Sequence, residues 1–157
     1  MAWSASKIFT ATITDLMNNT SAIDLNTDAS IKAALFDNDI TPDQTVASAN
    51  TAFGAGQWVS AGNEVFDAAE WATGGVALAS VTSAFSTNVY TFDAANTASG
   101  ASATLAAVFG CLVYDDTIAA PVADQGLCYN YFGGTNSVTD GTFTIIWNAS
   151  GIFALTL

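Results

Sequence analysis

The sequence lacks most of the side chains on which common catalytic and binding chemistries depend. It contains no histidine and no arginine, and its two lysines, Lys7 and Lys32, stand against 14 Asp and Glu residues, giving a formal net charge of -12. Without histidine, neither a Ser-His-Asp triad nor a Cys-His dyad can be built. Two cysteines alone cannot supply the usual zinc ligands, and no guanidinium is present to clamp a phosphate. The composition favours a structural or binding protein, so we expect no enzyme, no cofactor and no catalytic or metal-binding residues.

The acidic balance also restricts the expected partners. Nucleic acids and anionic membrane surfaces are bound through basic patches, so we expect neither as a partner. No apolar run reaches the 18 residues that predict a membrane helix. The longest run, residues 105–114, has ten residues and predicts a buried strand. Threonines and Asp15 interrupt the first 19 residues, so no signal peptide is predicted.

The sequence is rich in short runs of apolar residues. Hydrophobic residues make up 51% of the 157 residues, which is enough for a core in a chain of about one domain. Beyond residue 57, short apolar or alternating runs are separated by turn residues, a pattern typical of an antiparallel β-sandwich or jelly roll. We therefore predict a mainly β, single β-rich domain over residues 1–157. The predicted strands are residues 30–36, 57–60, 63–66, 76–84, 88–92, 104–114, 126–132, 141–147 and 152–157.

Residues 1–20 are predicted to form an N-terminal arm with a short helix. Ile8, Ile13 and Leu16 follow a rough helical spacing within residues 4–17, and Ser4 or Ser6 is placed to cap the helix. A second short helix is predicted within residues 41–52, where a proline stands at the start.

The same arm is the predicted interface with other subunits. Trp3, Lys7, Ile8 and Phe9 combine apolar surface with one of the two positive charges. A chain terminus is usually frayed, and so much apolar surface is unfavourable when exposed in a monomer. We therefore expect these four residues to make intersubunit contacts.

Two groups of acidic residues invite a ligand-binding or catalytic interpretation. Asp37, Asp39 and Asp43 fall at positions 1, 3 and 7 of a calcium-loop spacing, but proline replaces the glycine of position 6 and serine replaces the glutamate of position 12. A solvated turn is the favoured interpretation, with a bound cation as the alternative. Glu64 and Glu70 are the only glutamates, and nothing in the sequence singles them out as a glycosidase pair.

Other residues have similar double interpretations. Asp115 and Asp116 are expected to open a loop, since Asp favours turns. The four tryptophans could form a sugar-binding platform, but tryptophan more often anchors a core or an interface. We expect Trp147, at the end of an apolar strand, to belong to the core.

Several short motifs occur in an order that is informative as a whole. They are IKAALF at 31–36 before an Asn/Asp-rich turn, WATGGVAL at 71–78, LVYDDT at 112–117, FGG at 132–134, VTDGTF at 138–143 and the segment 147–157. Together they resemble a family of small virion structural proteins from tailed bacteriophages, over nearly the whole chain. The motifs are turn glycines and strand residues, so no functional residue is carried over.

The resemblance implies a capsid decoration, or cement, protein. Such a protein binds the outer surface of the phage head and stabilises it by mass action. Its partner would be the major capsid protein, and it would form a homo-oligomer, with a trimer favoured. It would be assembled in the host cytoplasm and located on the virion. Alternatives are a tail or fibre adhesin that binds a host surface glycan and, third, a glycan-cleaving enzyme.

Two strand pairings are predicted in the second half of the chain. Residues 142–147 and 152–157 are expected to form a hairpin that turns at 148–151, where Gly151 can adopt a positive φ. Residues 104–114 and 126–132 are expected to be neighbouring strands, and pairing Tyr114 with Gln125 would place Cys111 opposite Cys128. In the reducing cytosol where phages assemble, we expect these cysteines to be close, buried and unbonded.

Overall fold

The computed structural model describes residues 3–157, and it consists mainly of antiparallel β-sheet. Its helix α1 covers Thr10–Met17, and single helical turns occur at Ser48–Asn50 and Ser60–Asn63. The strands, in chain order, are β1 (Lys7–Ile8), β2 (Ile31–Phe36), β3 (Glu64–Val65), β4 (Val76–Ala77), β5 (Thr82–Ser86), β6 (Val89–Asp93), β7 (Thr97–Ala98), β8 (Ala103–Asp115), β9 (Gly126–Gly141), β10 (Thr144–Ile145) and β11 (Phe153–Thr156). The predicted fold class, mainly β and sandwich-like with a short N-terminal helix, is confirmed.

A central sheet organises the fold. Its strand order is β1-β9-β8-β2-β3, and β4 also pairs with β2. β2 and β8 pair without interruption from Ile31 opposite Asp115 to Phe36 opposite Gly110. Over this stretch both strands are nearly continuous apolar runs because both faces of the sheet are covered, which removes the need for alternation. The predicted strands at 30–36 and 104–114 are confirmed, but the predicted burial of 105–114 holds only from Gly110 onward, because Ala106 and Ala107 are exposed.

Two apolar clusters cover the two faces of the central sheet. One lies between the central sheet and a three-stranded sheet of order β11-β6-β5, and it includes Leu35, Phe92, Val113 and Ile152. The other lies on the opposite face, is mostly aromatic, and consists of buried residues from five segments: Trp3, Phe9, Ala34, Phe36, Ile40, Trp58, Leu112, Tyr114 and Tyr129. We call this second group the aromatic cluster.

The chain between β6 and β11 forms three successive antiparallel pairs that connect the two sheets. β8 pairs with β9, β7 with β10, and β6 with β11. The β7-β10 pair is a separate two-stranded sheet between the pair in the central sheet and the pair in the three-stranded sheet. In and beside this small sheet, Phe143, Ile145 and Trp147 are all buried. The prediction that Trp147 is a core residue is confirmed.

The predicted hairpin of residues 142–147 and 152–157 is wrong. β10 pairs with β7 and β11 pairs with β6, so the last two strands do not pair with each other. The turn itself exists, because the Gly151 N–H donates to the Asn148 carbonyl over 2.8 Å and Gly151 has a φ of 93°. It redirects the chain from one sheet to the other instead of reversing it within a sheet.

The register between β8 and β9 also differs from the prediction. The strands are neighbours, as predicted, but Cys128 lies opposite Val113 and Cys111 lies opposite Asn130. Tyr114 pairs with Gly126 instead of Gln125, and a bulge after Val113 shifts the register by one more residue. The two cysteines are therefore diagonal neighbours on one face. Both are buried and unbonded, as expected for small apolar side chains.

Several local predictions fail in the first 60 residues. The helix begins at Thr10 because residues 7–8 instead add a strand to β9, and Ser6 Oγ accepts a hydrogen bond from the Tyr131 N–H. Residues 41–52 contain only the turn at Ser48–Asn50. Near the start of this segment, the Asp43 carboxylate accepts a hydrogen bond from the Thr45 N–H, an interaction that competes with helix formation. Residues 57–60 form no strand, since Trp58 is drawn into the aromatic cluster.

Candidate functional site

The four residues predicted as an interface occupy different environments. Trp3 and Phe9 are 1% and 0% exposed, because both rings pack in the aromatic cluster. Trp3 also donates its indole N–H to the Asp37 carbonyl. The expectation that these two rings contact another subunit is therefore corrected. Lys7 is exposed and Ile8 half-buried, and for these two the contact stays a prediction.

The tryptophan platform is likewise excluded by burial. All four tryptophans, Trp3, Trp58, Trp71 and Trp147, are buried. Trp71 donates its indole N–H to the Ala33 carbonyl of β2, and its ring meets that of Phe143 edge to face. Trp3 and Trp58 therefore pack inside the aromatic cluster, and Trp71 and Trp147 pack inside the other cluster. None of the four offers a face to a sugar.

The aspartates with the calcium-loop spacing form a local turn. The Asp37 carboxylate accepts from the Asp39 N–H, which is the solvated-turn geometry favoured above. Within residues 3–157, no group of three or more His, Cys, Asp or Glu side chains is placed to hold a metal ion.

The adjacent carboxylates that were expected to open a loop differ from each other. Asp115 is fully buried, and it accepts from the backbone N–H groups of Asp24 and Thr117. Asp116 forms an ion pair with Lys32 over 2.7 Å. Asp115 therefore fixes the loop after β8 to the segment before β2, which the expectation of a simple loop opening missed.

Glu64 is the most unusual carboxylate of the described chain. It is buried on β3, where one oxygen accepts from the Gly74 N–H over 2.7 Å and the other has no partner. Burial raises the pKa of this carboxyl, and hydrogen bonding from the Ser60 side chain and from the Gly74 N–H opposes the shift only in part. The Tyr114 hydroxyl donates to the Gly74 carbonyl on the same turn. Glu70 lies elsewhere, against Gly100.

We expect Glu64→Gln to stabilise the protein at neutral pH and not in acid. The folded state binds the Glu64 proton more tightly than the unfolded chain, so the stability linked to this group is fully present below the ordinary pKa of 4.5 and is lost as pH rises through the raised value. Glutamine keeps the acceptor for Gly74 and removes the charge. The free energy of unfolding at pH 7 should rise by about 1 kcal/mol, as measured by urea denaturation.

The matched control for this prediction is Asp140→Asn, which removes an exposed carboxylate. It should change stability by less than about 0.5 kcal/mol at either pH. A gain for Glu64→Gln that is the same at pH 4 and pH 7 would contradict the linkage.

Shallow hollows follow the side of the fold where β9 meets β10 and β11. One of about 300 Å³ lies between the edge strands β1 and β11. Two others, of about 320 and 370 Å³, lie on either side of Ile146, which is 76% exposed, above Tyr131 and Phe132. The exposure of these residues could not be predicted from the sequence, because an apolar run does not reveal which of its members faces solvent.

The three-stranded sheet forms a second candidate surface. No side chain from residue 71 to residue 92 is charged, and Asp93 is the only charged residue of β5, β6 and β11. The positions that face outward are small, and they are exposed on both edge strands: Thr82, Ala84, Ser86, Ala154 and Thr156. On β5, Phe85 is 60% exposed. The chain has a net charge of -12. Because this sheet carries so little of that charge, electrostatic repulsion opposes contact with another acidic protein least at this sheet.

Comparisons with known proteins add no assignment. No protein-family profile, curated protein or solved structure matches the chain. Within residues 3–157, no helix is both long and apolar enough to cross a bilayer.

Proposed function

We propose that this chain is a structural protein of a tailed-bacteriophage virion that decorates the outer surface of the capsid and stabilises it. The observation that carries the proposal is the uneven distribution of charge. Eleven of the 16 charged side chains precede residue 71, whereas the three-stranded sheet contributes only Asp93. A surface of Ser, Thr and Ala loses little side-chain entropy when it is covered. These properties suit a subunit that packs against protein neighbours.

The mechanism would be binding alone. A protein that binds only the assembled capsid lattice stabilises that lattice by its binding free energy, with no chemical step. The two apolar clusters make the decorating unit rigid, which lowers the entropy that must be lost on binding. The proposed partner is the major capsid protein. The acidic chain on the outer shell would not compete for the packaged nucleic acid, since like charges repel.

Self-association is part of the proposal. A decoration protein usually sits at a symmetry axis of the shell, and the sequence resemblance favours a trimer. Sedimentation velocity of the purified chain measures this number directly. Assembly in the host cytoplasm is compatible with the two unbonded cysteines.

Deleting the gene for this chain from a phage that encodes it tests the proposal. We expect virions that adsorb normally but whose heads release DNA at a lower temperature than wild-type heads. Supplying the wild-type chain from a plasmid should restore head stability and return density to the outer capsid surface in electron micrographs. Deletion virions with wild-type heat resistance would reject the decoration role.

The adhesin remains a second candidate because of the hollows beside Ile146. Their lining combines the aromatic rings of Tyr131 and Phe132 with the amide of Asn136, and ligand sites commonly pair apolar walls with a few polar groups. In the same deletion experiment, heat-stable heads that fail to adsorb would favour this function. Substituting Tyr131 by alanine should then weaken adsorption, with Thr139→Ala as a control at an exposed position of the same strand.

A further inference from the structure

β5 forms an unprotected edge of the three-stranded sheet. The strand order is β11-β6-β5, and β6 is the only strand paired with β5 among the residues that the structure describes. One side of β5 therefore presents unpaired backbone N–H and C=O groups. Such an edge is a template for pairing with another strand.

The devices that usually block an edge strand are missing from β5. Its sequence is TSAFS, with no charge and no proline. The pairing with β6 is regular from Thr82 opposite Asp93 to Ser86 opposite Val89, with no bulge. Thr87 and Asn88, both at positive φ, close the hairpin as a tight turn. Four of its five residues are exposed, and Ser83 is half-buried, with its hydroxyl donating to the Leu25 carbonyl.

We propose that β5 pairs with β5 of a second copy of this chain, antiparallel and centred on Ala84. This register is the one that pairs all five residues, and it is symmetric, as a two-fold interface requires. It places Thr82 opposite Ser86 of the second copy and Ser83 opposite Phe85 of the second copy. The inference does not rest on a virion role. It yields a dimer and so departs from the trimer that the resemblance favours.

The burial that Phe85 would gain supports a second copy of the chain as the partner of β5. Phe85 lies on the face of β5 that it shares with Ser83, and its ring is 60% exposed in the single chain. In the proposed register each Phe85 packs beside the small Ser83 of the other copy, which leaves room for the ring. Removing apolar surface from water adds to the backbone hydrogen bonds in stabilising the pair.

The charges near β5 are compatible with a two-fold pair. The Asp28 carboxylate accepts from the N–H groups of Ser80 and Val81, and Asp93 lies opposite Thr82, so both carboxylates are at the start of β5. Antiparallel pairing places the first residues of β5 from the two copies at opposite ends of the interface. Four residues of strand separate them by about 14 Å, which exceeds the screening length of about 8 Å at physiological salt.

Single cysteine variants of the full chain test the register. In Ala84→Cys, the two introduced thiols face each other across the two-fold axis, and we expect a disulfide-linked dimer after mild oxidation. Thr82→Cys is the matched control, because it is exposed on the same face of the same strand but lies about 14 Å from its copy, too far for a disulfide. The native cysteines are buried and should not react. Equal cross-linking of both variants, or none in Ala84→Cys, would overturn the pairing.

Sedimentation velocity of the unmodified chain gives a second, independent readout. We expect a dimer that dissociates on dilution. Ala84→Lys places two like charges opposite each other and should leave only monomer, while Thr139→Lys, on the exposed part of β9, should leave the dimer intact. Circular dichroism confirms that each variant is folded. A wild-type monomer at all concentrations, a trimer, or a dimer that survives Ala84→Lys would refute the inference.

Discussion

Replacing Trp58 by alanine is expected to lower the free energy of unfolding by about 3–5 kcal/mol, the range for removing a large buried ring. Trp58 is fully buried at the centre of the aromatic cluster. Its ring centroid lies 5.1 Å from that of Phe36, 5.9 Å from those of Trp3 and Tyr129, and 6.0 Å from that of Phe9. One substitution therefore removes the common neighbour of four aromatic side chains.

Urea denaturation followed by far-UV circular dichroism measures this loss. Ile146→Ala serves as the control, because its side chain is 76% exposed and its removal should change stability by less than about 0.5 kcal/mol. Trp58→Phe should be milder than Trp58→Ala, since it keeps a ring and removes an indole N–H that is buried without a partner. A loss below about 1 kcal/mol for Trp58→Ala would show that the cluster does not stabilise the fold.

Gly75→Ala is expected to destabilise the protein by about 4 kcal/mol or more, a size that only severe core disruption reaches. Gly75 has a φ of 83°, which is unfavourable for any residue with a Cβ atom. A Cβ there would also overlap the backbone of Ala33 in β2, which is part of the central sheet and cannot move aside without breaking its ladder. The turn before β4 thus depends on glycine for two reasons.

The variant Gly54→Ala separates the effect of the positive φ from the effect of the Cβ overlap. Gly54 has the same φ of 83°, but nothing lies within 4 Å of the position where its Cβ would be. This variant should lose only about 1–2 kcal/mol, the energy of the left-handed conformation for an alanine. Thermal unfolding of both variants gives the comparison. Equal losses would mean that the backbone at Ala33 yields to the new methyl group.

The elements that could be predicted from the sequence are those whose burial leaves a local pattern. IKAALF and the run at 105–114 are apolar without alternation, and both are strands, covered on two faces along 31–36 and from Gly110 onward. The pairing of the last two strands could not be predicted, because a turn with a glycine at positive φ serves equally well to reverse a chain and to redirect it. The pairing of Tyr114 with Gly126 and the bulge after Val113, which together shift Cys128 away from the position opposite Cys111, depend on how the two strands twist together.

The candidate surfaces were harder to predict than the fold. The composition correctly marks Trp3 and Phe9 as too apolar for solvent, but it does not say whether they pack within the chain or between chains. The structure places their partners, Trp58 and Tyr129, far away in the sequence. The open edge at β5 was also invisible, since residues 76–84 were predicted as one strand and only tertiary pairing decides which strand ends a sheet.

The pairing of β1 with β9 constrains the order of events during synthesis on the ribosome. Lys7 and Ile8 pair with Tyr129 and Cys128, which are translated about 120 residues later. β2 has its longest pairing with β8, which begins at Ala103. Until β8 and β9 leave the ribosome, β1 has no partner and the apolar IKAALF strand can pair only with the two-residue strands β3 and β4. Folding should therefore begin only when most of residues 3–157 have been made, and the nascent chain is open to aggregation or chaperone binding until then.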